Sequence, residues 1–143
     1  MDDLQFFVGS WDLQATNPST DTTIALRYDV EVSLGGIWLA GRVESADPPL
    51  QIRDFWGHDA VTREIVRIIV DSQGNYGVVR SSGWRDDTLE LVGDVNSAGG
   101  VVPVRETITR VADHSFRAVW EANGKDGWYA YSVEVLTRRP ANP

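Results

Sequence analysis

The chain has no cysteine, one methionine and two histidines among 143 residues. Lack of cysteine excludes a disulfide framework, a thiol nucleophile and any thiolate metal site. His58 and His114 do not stand at metal-binding spacing, and no His-Glu-x-x-His pattern occurs, so neither a metal centre nor a cofactor is expected. A Gly-x-Ser-x-Gly elbow, a Walker loop and a dinucleotide fingerprint are absent too. No stretch approaches the ~18 apolar residues of a membrane span. The acidic opening Met1-Asp2-Asp3-Leu4-Gln5 lacks the basic and apolar regions of a signal peptide. These gaps lead to the expectation of a cytoplasmic protein without a membrane partner. Basic residues are also in deficit, 13 against 21 acidic, for a net charge of −8, which argues against nucleic acid as a partner.

What the chain does have is strand signal from end to end. Residues 22–33 alternate Ile24, Leu26, Tyr28, Val30 and Val32 with Ala25, Arg27, Asp29, Glu31 and Ser33, the period-two pattern of a half-buried strand. Nine more candidates run at about 8–16, 37–45, 50–58, 63–70, 75–84, 87–94, 101–111, 115–122 and 127–138, separated by turn chemistry such as Leu34-Gly35-Gly36, Asp47-Pro48-Pro49 and Ser72-Gln73-Gly74-Asn75. Even spacing without helical intervals disfavours βαβ units and predicts a single up-and-down antiparallel β-barrel domain of about 8–10 strands over residues 1–143. Only Asp2–Val8 reads as helical, a plug packing Leu4, Phe6 and Phe7 under the barrel, and the tail 138–143 is expected to fray.

Phe7-Val8-Gly9-Ser10-Trp11-Asp12-Leu13 resembles the Gly-x-Trp opening strand of the calycin superfamily, which includes lipocalins and fatty-acid-binding proteins. With Leu34-Gly35-Gly36-Ile37-Trp38-Leu39, Phe55-Trp56-Gly57-His58-Asp59, Ser82-Gly83-Trp84-Arg85-Asp86-Asp87-Thr88-Leu89 and Val104-Arg105-Glu106-Thr107-Ile108, the chain is similar to an uncharacterised bacterial family of small lipocalin-like barrels. That family more typically carries Tyr where His58 stands. The resemblance implies a barrel around a ligand cavity and implies no activity.

Two residue types bear on the contents of such a lumen. Trp11 reads as a structural closure of one barrel end. Trp38, Trp56, Trp84, Trp120 and Trp128 are either wall packing or an aromatic lumen lining. Arg42, Arg53, Arg67, Arg80, Arg105 and Arg117 lie inside strands. Arg42, Arg67 and Arg80 share parity with apolar neighbours, and an inward guanidinium needs a carboxylate, a ligand anion or water. Glu44, Glu106 and Glu134 are available partners; the other reading is an outer-wall ion pair for each arginine. Tyr28 shares a face with Leu26 and Val30. Tyr129 and Tyr131 share the face opposite Trp128. His58 ends a strand beside Trp56 and Asp59, while His114 lies in a solvated turn.

The resulting expectation is a monomer or homodimer that binds a small hydrophobic molecule with a polar or anionic group. The ligand-binding set is Tyr28, Trp38, Arg42, Trp56, Arg67, Arg80, Trp84, Trp120 and Trp128. An alternative is a cofactor-independent cyclase or isomerase acting on a polyketide-like or terpenoid-like intermediate, with catalytic candidates His58, Arg42, Arg80, Glu106 and Tyr28. A third reading is haem binding through His58.

Overall fold

The computed structural model describes residues 2–140. Ten antiparallel strands form a closed barrel: β1 (Gly9–Asn17), β2 (Thr22–Ser33), β3 (Trp38–Ala46), β4 (Pro49–His58), β5 (Ile65–Asp71), β6 (Tyr76–Ser81), β7 (Thr88–Ser97), β8 (Gly100–Ala112), β9 (Ser115–Gly124) and β10 (Gly127–Arg138). Each strand pairs with its sequence neighbour, and β10 returns to β1 with Trp11 opposite Arg138 and Leu13 opposite Leu136. Closure removes every sheet edge. The predicted strands match these ten in order. The predicted 75–84 strand stops at Ser81, because Gly83 takes φ +122° and the chain bends away.

Side chains alternate between lumen and outer wall. On β2, Leu26, Tyr28 and Val30 turn inward, whereas Ile24 and Val32 at the strand ends are 40% and 49% exposed. On β5, Asp71 shapes the turn into β6. Its carboxylate accepts from the backbone N–H of Gln73 and Asn75, and Gly74 supplies the positive φ of +87° that the turn requires.

One barrel end is sealed by the expected plug, a 3-10 turn at Asp2–Phe7 with Leu4 and Phe7 fully buried. Phe7 stacks on Trp56 at 4.5 Å between ring centroids, and Phe6 meets Phe116 edge-on at 5.7 Å. A short helical turn ends with unpaired carbonyls, and here donors from the barrel meet them. Trp11 Nε1 donates to Phe7 O at 2.9 Å, Arg138 Nη2 to Phe6 O at 2.7 Å, and Trp84 Nε1 to Asp3 O at 2.7 Å. The Arg138 guanidinium also covers the Trp11 ring at 4.2 Å. Arg138 and Arg139 are therefore held rather than frayed, with Arg139 N donating to Ser10 O; residues 141–143 lie outside the described ones. Among the described residues no helix is long and apolar enough to cross a membrane.

Candidate functional site

Above the plug the barrel encloses a cavity of about 280 Å³, close to the lower end of the ~300–1,000 Å³ usual for small-ligand pockets. Its walls are largely aliphatic, with Leu13, Leu26, Val43, Ile52, Ile69 and Val95 facing in. Asp71, Asn75 and Tyr76, at the β5–β6 turn, line the end opposite the plug and form its mouth.

At mid-depth the lumen holds a buried ionic cluster. Arg67 on β5 projects inward with its side chain 12% exposed, while the Asp54 and Glu106 side chains are each 1% exposed. Arg67 donates through Nε at 2.9 Å to Asp54 Oδ2 and through Nη1 at 2.5 Å to Glu106 Oε2, and its Nη2 lies 2.8 Å from Asp54 Oδ2 in the same ion pair. Its guanidinium also lies 4.6 Å from the Trp56 ring and 5.6 Å from the Trp120 ring, a cation held between two π faces. Tyr28 Oη donates to Asp54 Oδ2 at 2.6 Å and accepts from Trp56 Nε1 at 2.9 Å.

Gly41 makes this packing possible. It faces inward on β3, and a Cβ there would meet Asp54 Oδ1 at 1.9 Å and the Tyr28 ring at 2.7 Å. Two carboxylate oxygens, Asp54 Oδ1 and Glu106 Oε1, are buried without a hydrogen-bond partner among the described residues.

Ionisation follows from this burial. Desolvation, then the Asp54 charge, holds the Tyr28 hydroxyl well above its ordinary value, so it stays a neutral donor. Burial works against the Arg67 cation, but Glu106 and Asp54 overcome it and keep the guanidinium charged. Burial raises Glu106 even though Arg67 opposes the shift. Glu134 on β10 lines the same cavity, and burial followed by the charge of Glu106 pushes its carboxyl up to about 7. Tyr131 is raised as well, by burial first.

Four of the nine residues expected in the lumen line the cavity: Tyr28, Trp56, Arg67 and Trp120. Five do not. Trp38 lies on the outer wall opposite Gly57, where a Cβ would come within 2.5 Å of the indole. Arg42 is exposed beside Arg53 on an outer groove that Arg27 and Asp29 also line. Arg80 points outward to Asp59 at 2.8 Å, because Gly77, Val79 and Ser81 form the inward face of β6. Trp84 packs on the plug, near Phe7 at 5.8 Å and under the Arg110 guanidinium at 4.6 Å. Trp128 is 41% exposed, with the Arg105 guanidinium over its ring at 4.4 Å. Of the six arginines singled out in the sequence, only Arg67 lines the cavity. Arg53 pairs with Glu44 at 2.9 Å and Arg105 with Glu121 at 3.0 Å on the outer wall.

Among the catalytic candidates, Tyr28 and Glu106 belong to the lumen cluster, whereas Arg42 and Arg80 do not reach it. His58 sits at the plugged end with Nε2 3.0 Å from Asp3 Oδ2.

Asp54, the acceptor at the centre of the cluster, was not among the expected residues, although it shares parity with Ile52 and Trp56 on the expected 50–58 strand. Tyr131 reaches the lumen through a bulge between Ala130 and Ser132, which separates it from Tyr129, 53% exposed. No parity rule finds such a residue.

No protein-family model matches the chain, and no curated protein matches it. Among solved structures it is similar to redesigned beta barrels. One has 15% identity over 96% of both chains at a TM-score of 0.44. A second, mFAP1 bound to DFHBI, has 19% identity over 96% of this chain and 100% of that one, also at 0.44. A third, mFAP0 bound to DFHBI, has 21% identity over 94% and 100% at 0.40.

Proposed function

We propose that this barrel binds one small molecule with an apolar body and a polar group, the body against the aliphatic walls and the polar group at the ionic cluster. One observation carries this reading: the lumen is an apolar-walled cavity of about 280 Å³ whose depth contains a buried carboxylate oxygen, Glu106 Oε1, that no described residue satisfies. A lumen serving stability alone would be filled by side chains, since replacing buried charges with packed apolar residues is often neutral or stabilising. The opening Gly9-Ser10-Trp11 strand supports a calycin-like reading of the barrel, and a monomer or homodimer in the cytoplasm remains its expected setting.

The test is titration with N-phenyl-1-naphthylamine, whose emission rises in apolar surroundings. Wild-type protein should give saturable one-to-one binding. Val95→Trp should abolish it, because Val95 faces the cavity opposite Gly77 and an indole there fills the mouth. Equal signals from both proteins, with circular dichroism unchanged, would reject lumen binding.

A second reading, acid–base catalysis on the bound molecule, draws on Glu134. Its carboxyl, raised to about 7, is poised to accept and return a proton near neutral pH. Its test is conversion, rather than retention, of any molecule that co-purifies with the protein, and loss of that conversion in Glu134→Gln.

A further inference from the structure

The charges facing the lumen do not balance. Asp54, Glu106 and Glu134 line the cavity with Asp71 at its mouth, while Arg67 is its only lining cation among the described residues. Arg67 is already committed to Asp54 and Glu106, so it is not waiting for a ligand anion. What remains unsatisfied is acceptor capacity. The Glu106 side chain is 1% exposed and lines the cavity, and Oε1 has no hydrogen-bond partner among the described residues.

Strand register brings Glu134 to the same part of the lumen as Glu106, whose charge acts on it. Glu106 stands opposite Trp120 on β9, and Trp120 opposite Ser132 on β10, so Glu134 is the next inward residue along β10. With strands ~4.8 Å apart, the two backbones are about 10 Å apart across β9, and their side chains converge inside the barrel. Glu134 has alanines opposite it on both sides, Ala118 on β9 and Ala15 on β1. Neither alanine can cover its carboxyl or pair with it, and the Trp120 indole on β9 is its hydrogen-bond donor. The Trp120 and Tyr131 rings, 6.4 Å apart, stand beside the pair.

Resting on the lumen-binding reading, we propose that the barrel selects ligands with a protonated amine, seated between Glu106 and Glu134 against the Trp120 and Tyr131 rings. An alkylammonium brings three donors and a positive charge to two carboxylates, and its charge is also drawn to indole and phenol faces. The site suits an organic cation, because no group of three or more His, Cys, Asp or Glu among the described residues could hold a metal ion. The aliphatic walls then take the hydrocarbon part.

Proton linkage gives a second signature. The charged or titratable groups near Glu134 are Glu106 on β8, Arg67 on β5, Asp54 on β4 and Tyr131 on its own strand; its direct cross-strand partners are alanines, and the Trp120 indole on β9 hydrogen-bonds its carboxylate. An ammonium needs the ionised carboxylate, so its affinity rises with pH as a carboxyl near 7 loses its proton, by about tenfold between pH 6 and 8.

The experiment is isothermal titration of the whole chain with n-octylamine, n-octanol and n-octanoate at pH 6 and 8. Octylamine should bind one-to-one at pH 8 at least tenfold more tightly than octanol, with octanoate weakest, and weaken at pH 6. In Glu134→Gln the amine-over-alcohol preference should fall at least tenfold. Octanol or octanoate binding as tightly as the amine would overturn the amine site and leave lumen binding standing. An unchanged preference in Glu134→Gln would also overturn it. Binding of none of the three would remove both.

Discussion

Arg67 Nη1 meets Glu106 Oε2 at 2.5 Å, tying β5 to β8 through the lumen although 39 residues separate them. The same guanidinium reaches Asp54, so its loss leaves two carboxylates buried without a counter-charge. Arg67→Met should therefore lower unfolding free energy by about 3–5 kcal/mol at neutral pH. Urea unfolding at pH 7.5 and pH 5 checks this. The loss should shrink at the lower pH, where the orphaned carboxyls take up protons.

Glu134 gives the protein a pH dependence of its own. Its carboxyl moves from 4.5 to about 7 on folding, so the folded state holds the proton more tightly than the unfolded chain. Stability then falls as pH rises from 4.5 through about 7, by on the order of 3 kcal/mol, and the raised Glu106 adds to the same slope. Glu134→Gln should flatten the thermal midpoint against pH over that window.

Asp59 works in the opposite direction. The Arg80 hydrogen bond, helped by the Thr62 and Val61 amides, lowers its carboxyl to about 2. The stability it lends is present above 3.8 and disappears as pH falls through about 2. Because this pair stands on the outer wall, Asp59→Asn should leave lumen binding untouched, which a titration of the variant with the naphthylamine probe checks.

Phe7 both fills the floor and stacks on Trp56. Phe7→Ala should cost about 3–5 kcal/mol in chemical denaturation. Its tryptophan emission should shift to the red as Trp56 loses its cover.

Gly41→Ala tests how tightly the cluster is built. The added Cβ would stand 1.9 Å from Asp54 Oδ1, so the carboxylate must move off Arg67. The substitution should destabilise the barrel and weaken ligand binding together. Gly99→Ala, with no atom closer than Ser97 Oγ at 4.0 Å, should do neither.

The strands were readable because alternation survives along most of each one, and turn residues stand between them. The lumen was harder to read, because parity identifies two faces without saying which is inside. On β3, Trp38, Ala40 and Arg42 form the outer face, and the inner face is Leu39, Gly41 and Val43. Trp38 looked like a lumen residue only because its outer-wall seat depends on Gly57, a cross-strand partner that no local pattern reveals. Arg67 faces the lumen as its parity with Ile65 and Ile69 implies, Ile65 being buried and Ile69 packed against the core. Asp54 is legible by the same rule, since it shares the inward face of β4 with Ile52 and Trp56. Tyr131 was not legible, because the β10 bulge resets facing partway along the strand.

Methyl chemical shifts test lumen binding most directly. Octylamine added to 13C-methyl-labelled protein at pH 8 should shift the resonances of Leu26, Val43, Ile52, Ile69 and Val95, which line the cavity. Those of Val32, Val92 and Val135, all 47–49% exposed on the outside, should stay in place. Shifts confined to the outer methyls, or absent from both sets at saturating ligand, would contradict a binding site in the lumen.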